Sequence, residues 1–156
     1  MDVQNNGKQI IAPTFLANAE LSNDIRKFFV LKGEHKRKWT AENPDKHIGI
    51  CLKIDGELIT DQQNKCDCGL LLDDNRLYLV EFKGKDYKTA VNQLIETMKY
   101  FKTNPNFSIY KFLFHARIVG ASFPKASTEL QKAKKLLREI FCGQYNFFEN
   151  EGEERI

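Results

Sequence analysis

The sequence predicts an α/β fold, a single mixed β-sheet flanked by helices. Three observations carry this: apolar runs of strand length within 47–54, 66–83 and 108–121, a helix-periodic segment between the last two, and turn-forming residues where the runs break. At 156 residues the chain has the length of one domain and can bury about two-thirds of the surface its unfolded form exposes. It shows no internal repeat and no linker that would divide it. The expected organisation is one domain over 1–156, with a polar N-terminus at 1–12 and an acidic C-terminal tail at 149–156.

Pro13 to Lys32 is expected to open the fold as a helix, because Phe15, Leu21, Ile25, Phe28 and Phe29 fall near helical spacing and Gly33 supplies a stop. The polar stretch Glu34 to Lys46 reads as a loop. His47 to Ile54 is a strand, turned at Asp55-Gly56 into a short return through Thr60. Residues 66–83, CDCGLLLDDNRLYLVEFK, supply two more strands hinged at Asp73-Asp74-Asn75.

Asp86 to Phe101 is a helix: Tyr87, Val91, Leu94, Met98 and Phe101 recur at steps of 4, 3, 4 and 3, and Asp86 can accept from the free amides of the first turn. Asn104-Pro105-Asn106 ends it, and Ser108 to Ala121 is a β-rich run that returns parallel to the strand ending at Lys83. Thr128 with Gln131 fits a capping box for a last helix through about Phe141.

Hydrophobic residues make up 42% and charged residues 29%, a soluble and not a disordered composition. The start MDVQNNGKQ is polar and no run approaches the ~20 apolar residues of a membrane span. The expectation is a cytoplasmic protein with no membrane partner. The four cysteines, Cys51, Cys66, Cys68 and Cys142, read as reduced, mostly buried thiols, since Cys66-x-Cys68 has no second ligand pair with which to build a zinc site. No serine-histidine-acid order, phosphate-binding glycine loop or dinucleotide fingerprint is present, which sets aside serine hydrolases, P-loop NTPases and Rossmann oxidoreductases.

The charges inside 66–83 carry the functional reading. With a three-residue turn symmetric about Asp74, Asp67 lies opposite Glu81, and Lys83 projects from the same face. A two-residue turn at Asp74-Asn75 would instead set Asp67 against Phe82. Two carboxylates so close repel unless a cation stands between them, and hard oxygen ligands suit magnesium or manganese. Such a metal polarises a phosphodiester and acidifies a bound water, while Lys83 can orient or help deprotonate that water, or offset charge in the transition state. An acid-x-lysine tripeptide alone says little: Glu34-His35-Lys36 and Asp86-Tyr87-Lys88 match it too, in a polar stretch and at a helix start.

Asp67 opening one strand, Glu81-Phe82-Lys83 closing the next, and the amphipathic helix from Asp86 together resemble the PD-(D/E)XK nuclease superfamily. The resemblance covers about residues 13–121 as architecture, its specific part being some 30 residues. It implies a restriction endonuclease-like core of order α-β-β-β-α-β, with Asp67, Glu81 and Lys83 catalytic and Asp67 and Glu81 binding Mg2+ or Mn2+. The Phe82 carbonyl would be a third ligand, Gln93 would support the site from the helix, and Glu20 or Asp24 would contribute an acid from the first helix. Cys66 stands where the family's name has proline.

The implied function is a metal-dependent endonuclease acting on DNA, with RNA as the other substrate choice. The competing reading is a non-catalytic nucleic-acid- or protein-binding module that keeps the fold. Net charge is +3, and residues 149–156 hold four glutamates and one arginine, so the body carries +6 and tolerates a polyanionic partner. Lys36, Arg37 and Lys38 could hold phosphates, with the Trp39 indole stacking on a base. Arg117, within an apolar strand, needs an anion: a site carboxylate, a tail glutamate or a phosphate. The lysines of the last helix read as its wet face. A chain this small would work as a homodimer or within a larger complex.

Overall fold

The computed structural model describes residues 19–156. In chain order its elements are β1 (Glu20–Ile25), β2 (Phe28–Lys32), β3 (Lys38–Glu42), β4 (Ile48–Lys53), β5 (Cys68–Leu72) and β6 (Arg76–Lys83), then α1 (Tyr87–Thr103), α2 (Pro105–Ser108), β7 (Leu113–Gly120), α3 (Thr128–Ile140), β8 (Tyr145–Glu149) and β9 (Glu151–Arg155). The fold is α/β, built on a mixed sheet of order β1-β4-β5-β6-β7-β8, with a second sheet of order β2-β3-β9. In the large sheet β6, β7 and β8 are parallel neighbours and the other pairs antiparallel. Among these residues no helix is long and apolar enough to cross a membrane.

The expected single sheet is therefore two, and the difference begins at the N-terminal end. Where a helix over Pro13–Lys32 was expected, residues 20–25 and 28–32 are strands, and residues 13–18 lie outside the described residues. Along β2 burial alternates, with Phe29 and Leu31 inward and Phe28, Val30 and Lys32 outward. A period of two within a short segment had imitated helical spacing once Phe15 and Leu21 were added to it. The stretch read as a loop contains β3, where Trp39 and Ala41 alternate inward against polar neighbours. The return at Glu57–Thr60 is a turn, with Asp55 and Ile59 joined by an isolated bridge.

Each face of the large sheet has its own cover. Ile50, Leu52, Leu77, Leu79 and Ile118 pack with Leu94, Met98 and Phe101 of α1 and Leu137 of α3. On the other face Leu70, Tyr78 and Val80 meet Phe29, Leu31, Trp39 and Ala41 of the small sheet. Helices thus cover one face and strands the other. α1 starts at Asp86, whose side chain accepts from Thr89 N–H; α3 is capped by Ser127, one residue before the expected Thr128, with Leu130 N–H as its donor. The lysines at 132 and 135 are exposed, as a wet face requires.

The acidic tail is structural. Residues 145–149 and 151–155 are strands, and β9 lies parallel to β3, which extends the small sheet. Glu154 receives the Arg117 guanidinium through Nε at Oε1 and Nη2 at Oε2, the latter at 3.1 Å. It also accepts from Trp39 Nε1 at 2.8 Å. Arg117 is buried, and its guanidinium sits 5.0 Å from the centre of the Tyr78 ring. His115 also stacks on Tyr78 at 4.6 Å, and its Nδ1 is buried with no hydrogen-bond partner among the described residues.

Removing Glu154 leaves a buried guanidinium without its anion, so Glu154→Ala should cost ~3 kcal/mol in urea unfolding; an exposed tail residue would cost nothing measurable. Burial, with the Arg117 and Arg76 charges, pushes the His115 imidazole down to about 4. The unfolded chain takes up that proton near 6.5 and the folded one does not, so this contribution to stability is present above ~6.5 and lost as pH falls toward 4. Urea midpoints at pH 7 and pH 4.5 should therefore differ more for wild type than for His115→Gln.

Candidate active site

The register of one hairpin decides which charges meet. Cys68 pairs with Val80, Gly69 with Leu79, Leu70 with Tyr78 and Leu71 with Leu77, which is symmetric about Asp74. The turn is closed by Asn75 N–H donating to the Leu72 carbonyl at 3.0 Å. Asn75 takes a φ of 68°, a left-handed conformation that asparagine tolerates better than most residues. The two-residue alternative at Asp74-Asn75 does not form.

One residue beyond β5, Asp67 therefore faces Glu81, and each holds the other's strand. Asp67 N–H donates to Glu81 Oε2 at 3.1 Å, and Phe82 N–H donates to Asp67 Oδ2 at 2.8 Å. Lys83, on the face shared with Glu81, donates from Nζ to Gln93 Oε1 at 3.4 Å. Gln93 in turn donates from Nε2 to the Lys65 carbonyl at 3.1 Å. One turn along α1, Thr97 Oγ1 accepts from Cys66 N–H at 2.8 Å and donates to the Gln93 carbonyl at 2.7 Å. Helix α1 thus fixes the backbone of residues 65 and 66 and, through it, Asp67. Asp67, Glu81, Lys83 and Gln93, chosen from sequence, come together at one edge of the sheet.

That edge is where the parallel strands β6 and β7 end, Lys83 lying beside Gly120, and where β4 ends and β5 begins, Lys53 beside Cys68. Crevices outside such carboxyl ends are the usual ligand sites of open α/β sheets. Here the edge opens on a cavity of about 870 Å³ whose lining includes Asp67, Glu81, Lys83 and Gln93.

The electrostatics are those of crowded acids. Glu81 is 1% exposed. Burial, and then the Asp67 charge beside it, push its carboxyl up to about 9 against the pull of Lys83. Burial raises Asp67 as well, opposed by the Phe82 N–H and reinforced by Asp55. Sequence reasoning used Asp55 only as a turn residue. It lines the cavity next to this pair, its backbone N–H donating to the Asp67 carbonyl at 3.2 Å and its carboxylate 3.6 Å from Lys65 Nζ. Its place at the end of β4 was the available signal, once β4 is paired with β5. Lys53, also on the cavity wall, carried no comparable local signal; of the basic residues 36–38 singled out in the sequence, Arg37 lines the cavity and Lys36 and Lys38 do not.

Other expected site residues stand elsewhere. Glu20 opens β1, opposite Leu52, and does not line the cavity, and Asp24 is taken by Arg26 at 2.6 Å and 2.7 Å. Glu20 and Asp24 both lie on β1, so neither acid is presented from a helix. Trp39 is fully buried and bonded to Glu154, so it cannot stack on a base. Arg117 has met the tail glutamate and not a phosphate. Lys38 lies 3.6 Å from Glu151, Lys36 is exposed, and Arg37 reaches the cavity wall.

Cys51, Cys66 and Cys68 are buried and unbridged, but Cys66 sits on the helix-covered face and Cys68 on the other, because the chain bends at Asp67 before β5 begins. Cys142 is exposed, not a core thiol.

A second group, at the turn end of the hairpin, brings ligand atoms of His47, Asp73 and Asp74 within 4.8 Å of one another. Its spacing could hold a cation, but Arg76 already lies among them, 2.8 Å from Asp74 and 3.1 Å from His47 Nε2. Among the described residues no guanidinium bonds to Asp67 or Glu81, and the donors of that pair are hard oxygens. That chemistry fits a magnesium-like ion better than zinc.

Comparison of the chain with protein-family models, with curated proteins and with solved structures gave no match.

A carboxyl buried against a second carboxyl costs stability that a neutral isostere would not. Glu81→Gln keeps the acceptor for Asp67 N–H, so in EDTA it should raise stability by ~1–2 kcal/mol, or roughly 3–6 °C in a thermal melt. A lower Tm would show that the carboxyl is held by contacts stronger than the crowding it suffers.

Proposed function

We propose that this protein is a metal-dependent nuclease that hydrolyses phosphodiester bonds in DNA, on a restriction endonuclease-like core. The observation that carries the reading is the reciprocal anchoring of Asp67 and Glu81 beside Lys83, at the carboxyl edge of a mixed sheet. Salt-bridge networks also crowd charges, but they close on themselves, as Arg117 and Glu154 do here. The Asp67–Glu81 pair sets acid against acid, with Glu81 buried and Asp67 half-buried, and opens on a cavity. Asymmetries of that kind cluster at functional sites.

Asp67 and Glu81 would hold Mg2+ or Mn2+. Bound there, the ion would polarise the phosphodiester and make a water acidic enough to serve as the nucleophile at neutral pH. The chain's own residues do the rest. Each carboxylate is fixed through one oxygen by a backbone N–H, so its direction is set before a ligand arrives. The Lys83 ammonium, steadied by Gln93, faces the same edge. It orients the attacking water and offsets charge gathering on the phosphoryl oxygens. The attacking water gives up a proton to solvent as its oxygen bonds to phosphorus, the bond to the leaving oxygen breaks, and that oxygen takes up a proton from solvent. Gln93 acts as a positioning residue, tying Lys83 to the Lys65 carbonyl and so to the segment that carries Asp67.

Lys83→Ala removes the ammonium without touching the packed core. It should lower DNA cleavage in Mg2+ or Mn2+ by at least ~100-fold, the usual scale for one electrostatic group, with an unchanged melting curve. Cleavage by Lys83→Ala at the wild-type rate, or no metal-dependent cleavage of any DNA form by wild type, would falsify the reading. DNA binding that persists with no manganese heat in calorimetry would make the protein a binding module instead.

A further inference from the structure

The β2–β3 turn lies over the candidate site, and its residues are costly ones. Gly33 N–H donates to the Arg37 carbonyl at 2.9 Å, and Arg37 N–H to the Glu34 carbonyl at 3.1 Å. This closes a three-residue turn symmetric about His35, in which His35 and Lys36 have φ of 54° and 60°. Each ordinary side chain held in that left-handed conformation costs ~1 kcal/mol. At Gly33 an added Cβ would stand 2.3–2.6 Å from Phe82 side-chain atoms, so the turn sits in contact with the residue between Glu81 and Lys83. Strain and close approach at a ligand cavity are grounds for asking what the turn holds.

The turn brings cations to the cavity. Lys32 and Arg37 from the hairpin, and Lys53 from the end of β4, all line it. Arg37 Nε is buried with no hydrogen-bond partner among the described residues. A guanidinium with a buried, unmet donor beside an open cavity needs an acceptor, and its planar fork matches two phosphate oxygens. Glu34, at the other end of the same turn, acts electrostatically on Asp67 and so belongs to the acidic centre. The cavity therefore has an acidic part around Asp67, Asp55 and Glu81 and a basic part around Arg37.

Resting on the nuclease reading above, we infer that Arg37, with Lys32 and Lys53, grips a backbone phosphate of the substrate strand next to the one that is cut. The acidic centre by itself repels a polyanion, so a strand can settle there only if a neighbouring phosphate is paid for elsewhere. The basic wall meets that need, and the neighbour of Arg37 in sequence, Lys36, does not line this cavity. Arg37 is a binding residue in this scheme and takes no part in the chemical step.

The test is anisotropy with a fluorescent single-stranded oligonucleotide in EDTA, where nothing is cut, across a salt series. Arg37→Ala should weaken binding at least ~10-fold and reduce the salt slope by about one ion. Arg37→Lys should recover part of the affinity, and Lys132→Ala on α3 should change neither. The manganese affinity of Arg37→Ala should equal that of wild type, which separates lost contact from a disturbed centre. Binding by Arg37→Ala within twofold of wild type, or no oligonucleotide binding by wild type, overturns the clamp whether or not DNA is cut. Binding that depends on Arg37 with no cleavage in Mg2+ or Mn2+ upholds the clamp and removes the nuclease reading.

Discussion

The side-chain period of a β-strand is two, so a hairpin that slips by one residue turns every side chain to the opposite face. In β5 and β6 that slip would move Asp67 from Glu81 to Phe82 and separate the two acids. Several contacts at the turn prevent it. Asn75 takes the left-handed conformation that a three-residue loop needs. Asp73 accepts from Ile48 N–H at 3.2 Å and meets His47 at 2.8 Å, while Asp74 accepts from Arg76 N–H at 3.2 Å. The polar chemistry at one end of the hairpin thus fixes the polar chemistry at the other, with a buried apolar ladder between them.

Two kinds of buried charge coexist in the molecule, and they differ in closure. Arg117 and Glu154 satisfy one another, and Trp39 takes a further bond to the glutamate. Such a pair adds little net stability but is severe to break. Around Asp67 and Glu81 the arrangement stays open: two acids side by side, one of them with its carboxyl pushed up to about 9, and an arginine donor with no partner among the described residues. Local rules broken together in one place, and kept elsewhere, are the pattern of a site retained for something other than stability.

What the sequence made legible follows from the range of the interactions involved. The hairpin could be read because its information is local: two apolar runs, a turn of Asp73-Asp74-Asn75, and charges in fixed phase to it. Helix α1 could be read because its apolar stripe is long and its cap adjacent. β1, β2 and β3 were missed because short segments of mixed character become strands only by pairing with β4 and with one another. β9 is the extreme case. Four glutamates in the last eight residues look like a solvated tail until one of them meets an arginine 37 positions away. Asp55 was visible as a turn residue, and its place beside Asp67 became apparent only with the pairing of β4 and β5.

The small sheet does more than cover a hydrophobic face. Phe82 is the residue on which two contacts meet. Its N–H holds the Asp67 carboxylate, and its ring is the surface against which Gly33 and the β2–β3 turn rest. β3 is tied to the large sheet through Trp39, Glu154 and Arg117, so the turn that bears Arg37 is positioned by the last strand of the chain. A displacement of that strand would pass through β3 to the turn, from the turn to Phe82, and from the Phe82 amide to Asp67. Interiors packed at crystal-like density transmit such shifts and do not absorb them. The acidic centre and the basic wall are therefore set at a fixed separation by one aromatic residue, and a ligand able to touch both must match it.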